Sequence, residues 1–238
     1  MYKNKTILGV ITARGGSKSI PRKNIADLAG KPLIQYTIEA AQNSKFLTKT
    51  IVSTDSSEIA EIAKNLGADV PFMRPAELAQ DNSRHIPVIQ HALNWLKDNK
   101  QETYDYVMIL QPTSPLRMAS DIDESIAKAV DTGADSVMGV VELVDFSVQK
   151  IKKIEYDQLV PLFQDEGRHS AFRQEAIKAY KRNGAIFLTK TDVIMRNDLF
   201  GAVSRPLVMP LERSVDINEP FDFELIEFLL SQKKHEDT

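Results

Sequence analysis

Across the first two-thirds of this chain, short β-branched runs alternate with amphipathic helical stretches, and that rhythm restricts the fold more than any other feature. Strand-like segments fall at Ile7–Thr12, Thr50–Ser53, Val70–Phe72, Tyr106–Leu110 and Ser136–Val141. Between them lie Pro32–Asn43, Ser56–Leu66, Ile86–Lys97 and Ser120–Asp131, each with apolar residues at three- and four-residue spacings. Repeated strand–helix–strand units specify an α/β fold with a mainly parallel sheet covered on both faces and right-handed crossovers. Ligands of such sheets bind beyond the carboxyl ends of the strands, so the loops that follow the strands are where chemistry is expected.

The rhythm breaks after Val141. Residues 145–182 mix charges with short apolar runs, and regular patterning returns at Ala185–Leu188, Leu207–Met209 and a closing helix over Glu219–Leu230. The middle stretch reads as an excursion from a single domain spanning 1–238, a flap or a dimerisation arm that also serves the acceptor site, with misassigned elements as the competing reading. A length of 238 residues suits one such domain.

Charge then excludes partners. Lys and Arg number 30 against 33 Asp and Glu, a net charge of −3, whereas chains that bind nucleic acid by neutralising phosphates carry a basic surplus. Cysteine is absent, which removes disulfides, thiolate metal sites and thiol nucleophiles and suits a reducing compartment. No apolar run approaches the ~20 residues of a membrane span, and the polar stretch Met1–Thr6 lacks the apolar core of a signal peptide. The expectation is a cytoplasmic protein with no membrane or nucleic-acid partner.

Phosphate chemistry must therefore come from a local cluster, and one follows the first strand. In Ala13-Arg14-Gly15-Gly16-Ser17-Lys18-Ser19-Ile20-Pro21-Arg22-Lys23-Asn24, four cations and two glycines sit at the mouth of a βα unit. Glycines let backbone N–H groups approach a ligand, guanidinium forks onto phosphate oxygens, and lysine adds a point charge. The loop matches neither the Walker pattern nor the dinucleotide fingerprint. A solvated basic turn is the competing reading; position at the end of the first strand favours phosphate binding.

The string ARGGSKSIPRKN resembles the first signature of the CMP-sialic acid synthetases, the acylneuraminate cytidylyltransferases. The resemblance continues through IVSTD at 51–55, RPAELAQD at 74–81, LQPTSPLR at 110–117, RNGAIFL at 182–188 and RSVDIN at 213–218. Six blocks in the family's order cover nearly the whole chain. They imply a three-layer, Rossmann-like fold of the nucleotide-diphospho-sugar transferase type, with a small dimerisation subdomain where the rhythm breaks, and a homodimer. They imply transfer of CMP from CTP to the anomeric hydroxyl of a nine-carbon 2-keto sugar acid, with release of pyrophosphate and Mg²⁺ as cofactor.

By that resemblance Arg14 and Lys23 bind the phosphates, Asn24 contacts the ribose, Ser17 orients the triphosphate, and Ala13 and Gly16 complete the loop. Arg74 and Ser83 match further nucleotide contacts; taken alone, Arg74 is an ordinary loop arginine before Pro75. Gln111 matches a residue that touches the sugar acid, with a purely structural PTSP turn as the competing reading. The acceptor's carboxylate needs a cation, and Arg173 matches the family's arginine ten residues before Asn183. Asn183 and Tyr180 line the same pocket, unless Tyr180 is packing. Asp216 is the expected Mg²⁺ ligand.

Two positions depart from the family. The pattern S-x-D-x-D reads here Ser214-Val215-Asp216-Ile217-Asn218, so the second carboxylate is an amide. Residues two apart in extended chain share a face, so Asn218 reaches the ion through oxygen but brings no charge. Ser19 stands where the family often has glycine. Asp55 reads as the cap of the second helix. His91 reads as packing or surface, and His85 stands where many members carry a small residue near the nucleotide. Two alternatives remain open: a related sugar nucleotidyltransferase such as a CMP-Kdo synthetase, and a nucleotide-binding regulator with weakened catalysis.

Overall fold

A computed structural model describes residues 1–81, 83–144, 151–162 and 178–236, the last four as backbone only. The central sheet has six strands in the order β10-β6-β9-β5-β1-β4: β1 Ile7–Thr12, β4 Lys49–Ser53, β5 Tyr106–Leu110, β6 Ser136–Glu142, β9 Tyr180–Lys190 and β10 Ser204–Val208. A tiny hairpin, β2 Asp27–Leu28 with β3 Lys31–Pro32, precedes α1. The helices are α1 Leu33–Gln42, α2 Ser57–Asn65, α3 His85–Lys100, α4 Ala119–Thr132, α5 Thr191–Met195 and α6 Pro220–Glu236.

Strand β1 pairs in parallel with β4 and β5, and β10 pairs in parallel with β6. Strand β9 runs antiparallel between β5 and β6. The sheet is thus mainly parallel, as the alternation predicts. Five of six residues in β1 and all five in β5 are buried, which is why these strands read as unbroken apolar runs. On one face Ile7, Ile11 and Val52 pack with Ile34 and Ile38 of α1, Ile59 of α2 and Ile122 and Ile126 of α4. On the other, Leu8, Val10, Val107 and Phe187 pack with Ile89, Leu93 and Leu96 of α3 and Ile194 of α5.

The strand expected at Val70–Phe72 does not form. The stretch touches β4 only through isolated bridges, Ile51 with Asp69 and Thr54 with Met73. Pro71 sits in its middle and has no N–H to give a ladder. Within the excursion, 145–150 and 163–177 lie outside the described residues. Residues between them form a hairpin, β7 Lys152–Glu155 with β8 Gln158–Pro161, turning at Tyr156 and Asp157, both with positive φ (50° and 63°).

From β1 the chain builds first to one side, at β4, and later to the other, at β5. Loops leaving the carboxyl ends of β1 and β5 therefore diverge, which opens the crevice that parallel sheets use for ligands. A third apolar cluster covers this end: Leu28, Leu33, Leu116, Ile217 and Ile226 are buried together with Ile20 and Phe223 against them. It binds the basic loop, the loop after β5, the Asp216 segment and α6 into one unit.

Candidate active site

The basic loop is anchored at both ends. Ala13 N–H donates to Ser53 O (3.0 Å), and Gly15 N–H to Asp55 Oδ1 (2.9 Å). A Cβ on Gly15 would stand 3.0 Å from the Ser56 Cβ, so a larger residue would have to push against the start of α2. Asp55 thus holds this loop, and the cap of α2 is Ser56, whose Oγ accepts from Ile59 N–H (3.4 Å). At the far end the buried Asn24 donates from Nδ2 to Arg14 O (2.8 Å), folding the loop back on itself. Arg22 adopts φ 54° and pairs with Glu58 of α2, which turns Lys23 inward.

Lys23 joins the loop to the Asp216 segment. Its Nζ donates to Ile217 O (3.0 Å), and Ser19 Oγ donates to Asn218 O (2.7 Å). Burial pushes the Lys23 pKa down, the charges of Asp216 and Asp222 pull it up, and Arg14 pushes it down again. Arg14 and Lys18 both reach Asp81, at 2.9 and 2.5 Å. Ser17 and Gly16 lie between them, and a Cβ on Gly16 would meet nothing within 4 Å. Arg74 lies beneath the loop, 6% exposed, with Nε donating to Ser53 Oγ (3.1 Å) and its NH2 group to Ser53 O. Burial, partly offset by Asp55, brings its pKa to about 10. Ser83 closes the turn before α3, donating to Glu77 O (3.3 Å).

The loop after β5 forms the opposite wall. Its brace is Arg117, 3% exposed, which donates to Ala185 O (2.9 Å), Thr37 Oγ1 (2.7 Å) and Gln111 O (3.3 Å). Burial lowers its pKa to about 10 against the pull of Asp121 and Asp216. Gln111 Nε2 lies 3.5 Å from His85 Nε2, and the His85 ring stacks on Phe187 with centroids 6.2 Å apart. Burial, then the charge of Arg74, lowers the His85 pKa, which favours the neutral imidazole.

Asp216 faces both walls. Ser114 Oγ donates to its Oδ1 (3.3 Å) and Asn218 Nδ2 to its Oδ2 (3.3 Å). Ile217 N–H donates to Thr113 O (2.8 Å), which ties the segment to the post-β5 loop. Burial raises the Asp216 pKa, and Thr113, Asn218, Lys23 and Ser114 offset part of that rise. Gly184, at φ +77°, leaves the space beside Asp216 open: a Cβ there would lie 3.5 Å from its carboxylate. Asp222 accepts the N–H groups of Asn218 (2.7 Å) and Glu219 (2.8 Å) at the start of α6. Beside Asp216 opens a cavity of about 790 Å³, lined by His85, Gln111, Leu143, Arg182, Asn183, Phe187, Asn218 and Asp222 among others.

A basic loop, a half-buried carboxylate and an adjoining cavity are the parts of a nucleotide-transfer site. A family model for cytidylyltransferases matches residues 8–230 of the chain. The chain belongs to the cytidylyltransferase family. It is 33% identical over 223 residues to a pseudaminic acid cytidylyltransferase of Campylobacter jejuni, covering 93% of this chain and 95% of the relative. It is 35% identical over 230 residues to an N-acylneuraminate cytidylyltransferase of Escherichia coli, covering 96% of this chain and 53% of that longer protein. A solved CMP:2-keto-3-deoxy-manno-octonic acid synthetase complexed with CTP shares the fold, with a TM-score of 0.71 at 16% identity over 96% of this chain and 99% of the other.

Within this cytidylyltransferase, Arg14, Lys23, Asn24, Asp216 and Asn218 are joined by direct hydrogen bonds and shared charge. Arg173 lies outside the described residues. Tyr180 begins β9 opposite Glu142 and is 47% exposed. Asn183 borders the cavity, but its amide is engaged in the fold: Nδ2 donates to Ser214 Oγ (3.0 Å) and Oδ1 accepts from Ala185 N–H (3.1 Å). The sequence reading assigned nothing to Arg117, Ser114 or Asp81. LQPTSPLR contained two of them, but their partners come from other elements and carry no local signal. His91 packs edge-on against Phe72, with centroids 4.8 Å apart.

The donor set suits a hard cation carried by the nucleotide. Among the described residues no three His, Asp or Glu side chains form a metal cage. Asp216 is one carboxylate whose raised pKa reflects charge that burial leaves incompletely compensated, and a nearby cation would relieve it. Mg²⁺ typically takes one or two protein carboxylates and fills its remaining positions with water and phosphate oxygens. Asp216, with Asn218 beside it, meets that requirement.

Proposed function

We propose that this chain transfers CMP from CTP to the anomeric hydroxyl of a nine-carbon 2-keto sugar acid, releasing pyrophosphate in an Mg²⁺-dependent reaction. One observation carries the reading: Lys23, the inner end of the basic loop, bonds to Ile217 O and shares its field with Arg14 and Asp216. A triphosphate on the loop is thereby brought to the carboxylate that borders the cavity.

Arg14, Lys18 and Lys23 neutralise the phosphates, and the open side of Gly16 admits phosphate oxygens to the backbone N–H groups. Arg74 supports this loop from below through Ser53. Gln111, fixed through its carbonyl by Arg117, presents its amide to the acceptor together with His85. Arg173 is the proposed partner of the acceptor's carboxylate. Bound with the triphosphate, Mg²⁺ would supply charge stabilisation at the attacked phosphate, held by Asp216 and Asn218. The anomeric oxygen bonds to the α-phosphorus as the bond to pyrophosphate breaks, so the protein's contribution is alignment and electrostatic complementarity.

The hairpin β7–β8 supports an intersubunit role for the excursion. Ile154, Tyr156 and Leu159 are 75%, 99% and 73% exposed, more apolar surface than a two-stranded ribbon keeps in water without a partner. A homodimer with the hairpin in its interface is part of this proposal. Use of CTP and the absence of cysteine point to the cytoplasm, and among the described residues no helix is long and apolar enough to cross a membrane.

Pyrophosphate release from CTP with N-acylneuraminic, legionaminic and pseudaminic acids tests the reading and ranks the acceptors. Release with Kdo or a sugar phosphate in their place would assign the chain to another branch. Tight CTP binding with no turnover at saturating Mg²⁺ would make it a regulator.

A further inference from the structure

Asp81 stands outside every role assigned so far, yet it touches the centre of the phosphate grip. Its two oxygens are divided between two cations, Oδ1 at 2.9 Å from Arg14 and Oδ2 at 2.5 Å from Lys18. Hydrogen bonding to Lys18 is the largest effect on its carboxyl; burial opposes it, and the charge of Lys18 with the hydrogen bond and charge of Arg14 keep the pKa below the usual range. The contacted cations come from the basic loop, whereas Asp81 comes from the segment that leads into α3. A carboxylate shared between a guanidinium and an ammonium presents two anionic oxygens as a phosphate does.

The other loop cations are held differently. Arg22 is turned away onto Glu58, and Lys23 donates to a main-chain carbonyl. Arg14 and Lys18 have, among the described residues, no ion-pair partner but Asp81. The Lys18 side chain is 82% exposed and that of Asp81 50%, so both contacts open readily to solvent. They are ion pairs that an incoming polyanion can exchange.

We propose that Asp81 is an internal competitor for the phosphate grip, which occupies Arg14 and Lys18 until a polyphosphate displaces it. The proposal rests on the reading of the loop as the triphosphate site. It makes Asp81 a residue that sets selectivity: a ligand that must use Arg14 and Lys18 meets the competitor, and one that reaches neither does not. After transfer, the same carboxylate recovers the two cations and favours departure of pyrophosphate.

Calorimetric titration of inorganic tripolyphosphate, pyrophosphate and cytidine against wild type, Asp81→Asn and Glu77→Gln decides it. Glu77, exposed on the same segment, reports the general effect of removing one negative charge. Asp81→Asn is expected to bind tripolyphosphate and pyrophosphate about two- to fivefold more tightly than wild type, the range set by exposed ion pairs. Its affinity for cytidine should not change, Glu77→Gln should gain less, and inhibition by pyrophosphate should strengthen in Asp81→Asn. Unchanged or weaker tripolyphosphate binding, or an equal gain in Glu77→Gln, overturns the proposal. If wild type still releases pyrophosphate from CTP in that case, the functional reading stands without it. If no protein binds tripolyphosphate or turns over CTP, both fail.

Discussion

Replacing Arg117 by methionine tests whether the post-β5 wall is held as described. Its guanidinium makes three hydrogen bonds to groups on different elements: Thr37 in α1, Gln111 after β5 and Ala185 in β9. Charge-assisted bonds contribute ~1.5–3 kcal/mol each. Against them stands the burial cost: burial brings the guanidinium's pKa down to about 10, which disfavours the cation by roughly 3 kcal/mol. Methionine removes both effects, so the net loss is about 1.5–6 kcal/mol, a range that contains the cost of removing one partner from a buried ionic contact. Trp95, the only tryptophan, packs 5.3 Å from Phe72 in the α3 face of the core and reports unfolding by fluorescence. With a urea slope of about 3 kcal/mol/M, the midpoint should fall by about 1 M. Arg117→Lys keeps the charge without the fork and should lose about half as much. In a cycle with Thr37→Val, the two sites should couple by at least ~1 kcal/mol. An unfolding free energy for Arg117→Met within ~0.5 kcal/mol of wild type would refute the brace, since that is the range of inert surface changes.

Three further outcomes are expected. Asn218→Asp adds the missing charge, so half-maximal pyrophosphate release should need several-fold less Mg²⁺; an unaltered requirement would show that Asn218 is remote from the ion. Lys23→Met should lower kcat/KM by about 10²-fold, the scale of losing one aligned electrostatic contact, and a change in CTP KM alone would confine Lys23 to ground-state binding. Asp216→Asn should abolish turnover yet stabilise the fold at pH 7. Burial raises this carboxyl's pKa, so the folded state carries a cost that is absent well below pH 3.8, grows as pH rises through the folded value and is constant above it. The variant's melting point should exceed that of wild type at pH 7, with the difference gone near pH 3. Equal melting points at pH 7 would show that Asp216 is fully compensated without a cation.

The legible parts of the fold were those whose signal is local. Strands β1, β5 and β6 are short apolar runs because both faces of the sheet are covered, β4 carries the buried pair Ile51 and Val52, and helices α1 to α4 bury one apolar face each. Val70–Phe72 misled because its apolar residues pack into different clusters, Val70 against the one with α1 and α2 and Phe72 under α3, while Pro71 prevents pairing. The β7–β8 hairpin escaped notice because Tyr156 and Asp157 take up positive φ without the glycine or asparagine that usually announces such a turn. Strand β9 is longer than its apolar stretch, since its first residues, Tyr180 to Arg182, are exposed.

The site was legible to the extent that charge and resemblance mark it, but neither separates a cation that grips substrate from one that braces the fold. Arg14, Lys18, Lys23, Arg74 and Arg117 are indistinguishable as letters. In the structure they divide by what already holds them. Arg117 has three internal acceptors and Arg74 donates twice to Ser53, both nearly devoid of exposure, so neither has a charge to spare for a ligand without dismantling its surroundings. Arg14 and Lys18 are held by one exposed carboxylate, and Lys23 by one carbonyl at the edge of the cavity's acidic side. A triphosphate can replace those contacts at little cost. On the proposed function, the loop cations that grip the triphosphate are the incompletely committed ones, and that property depends on distances between segments far apart in sequence.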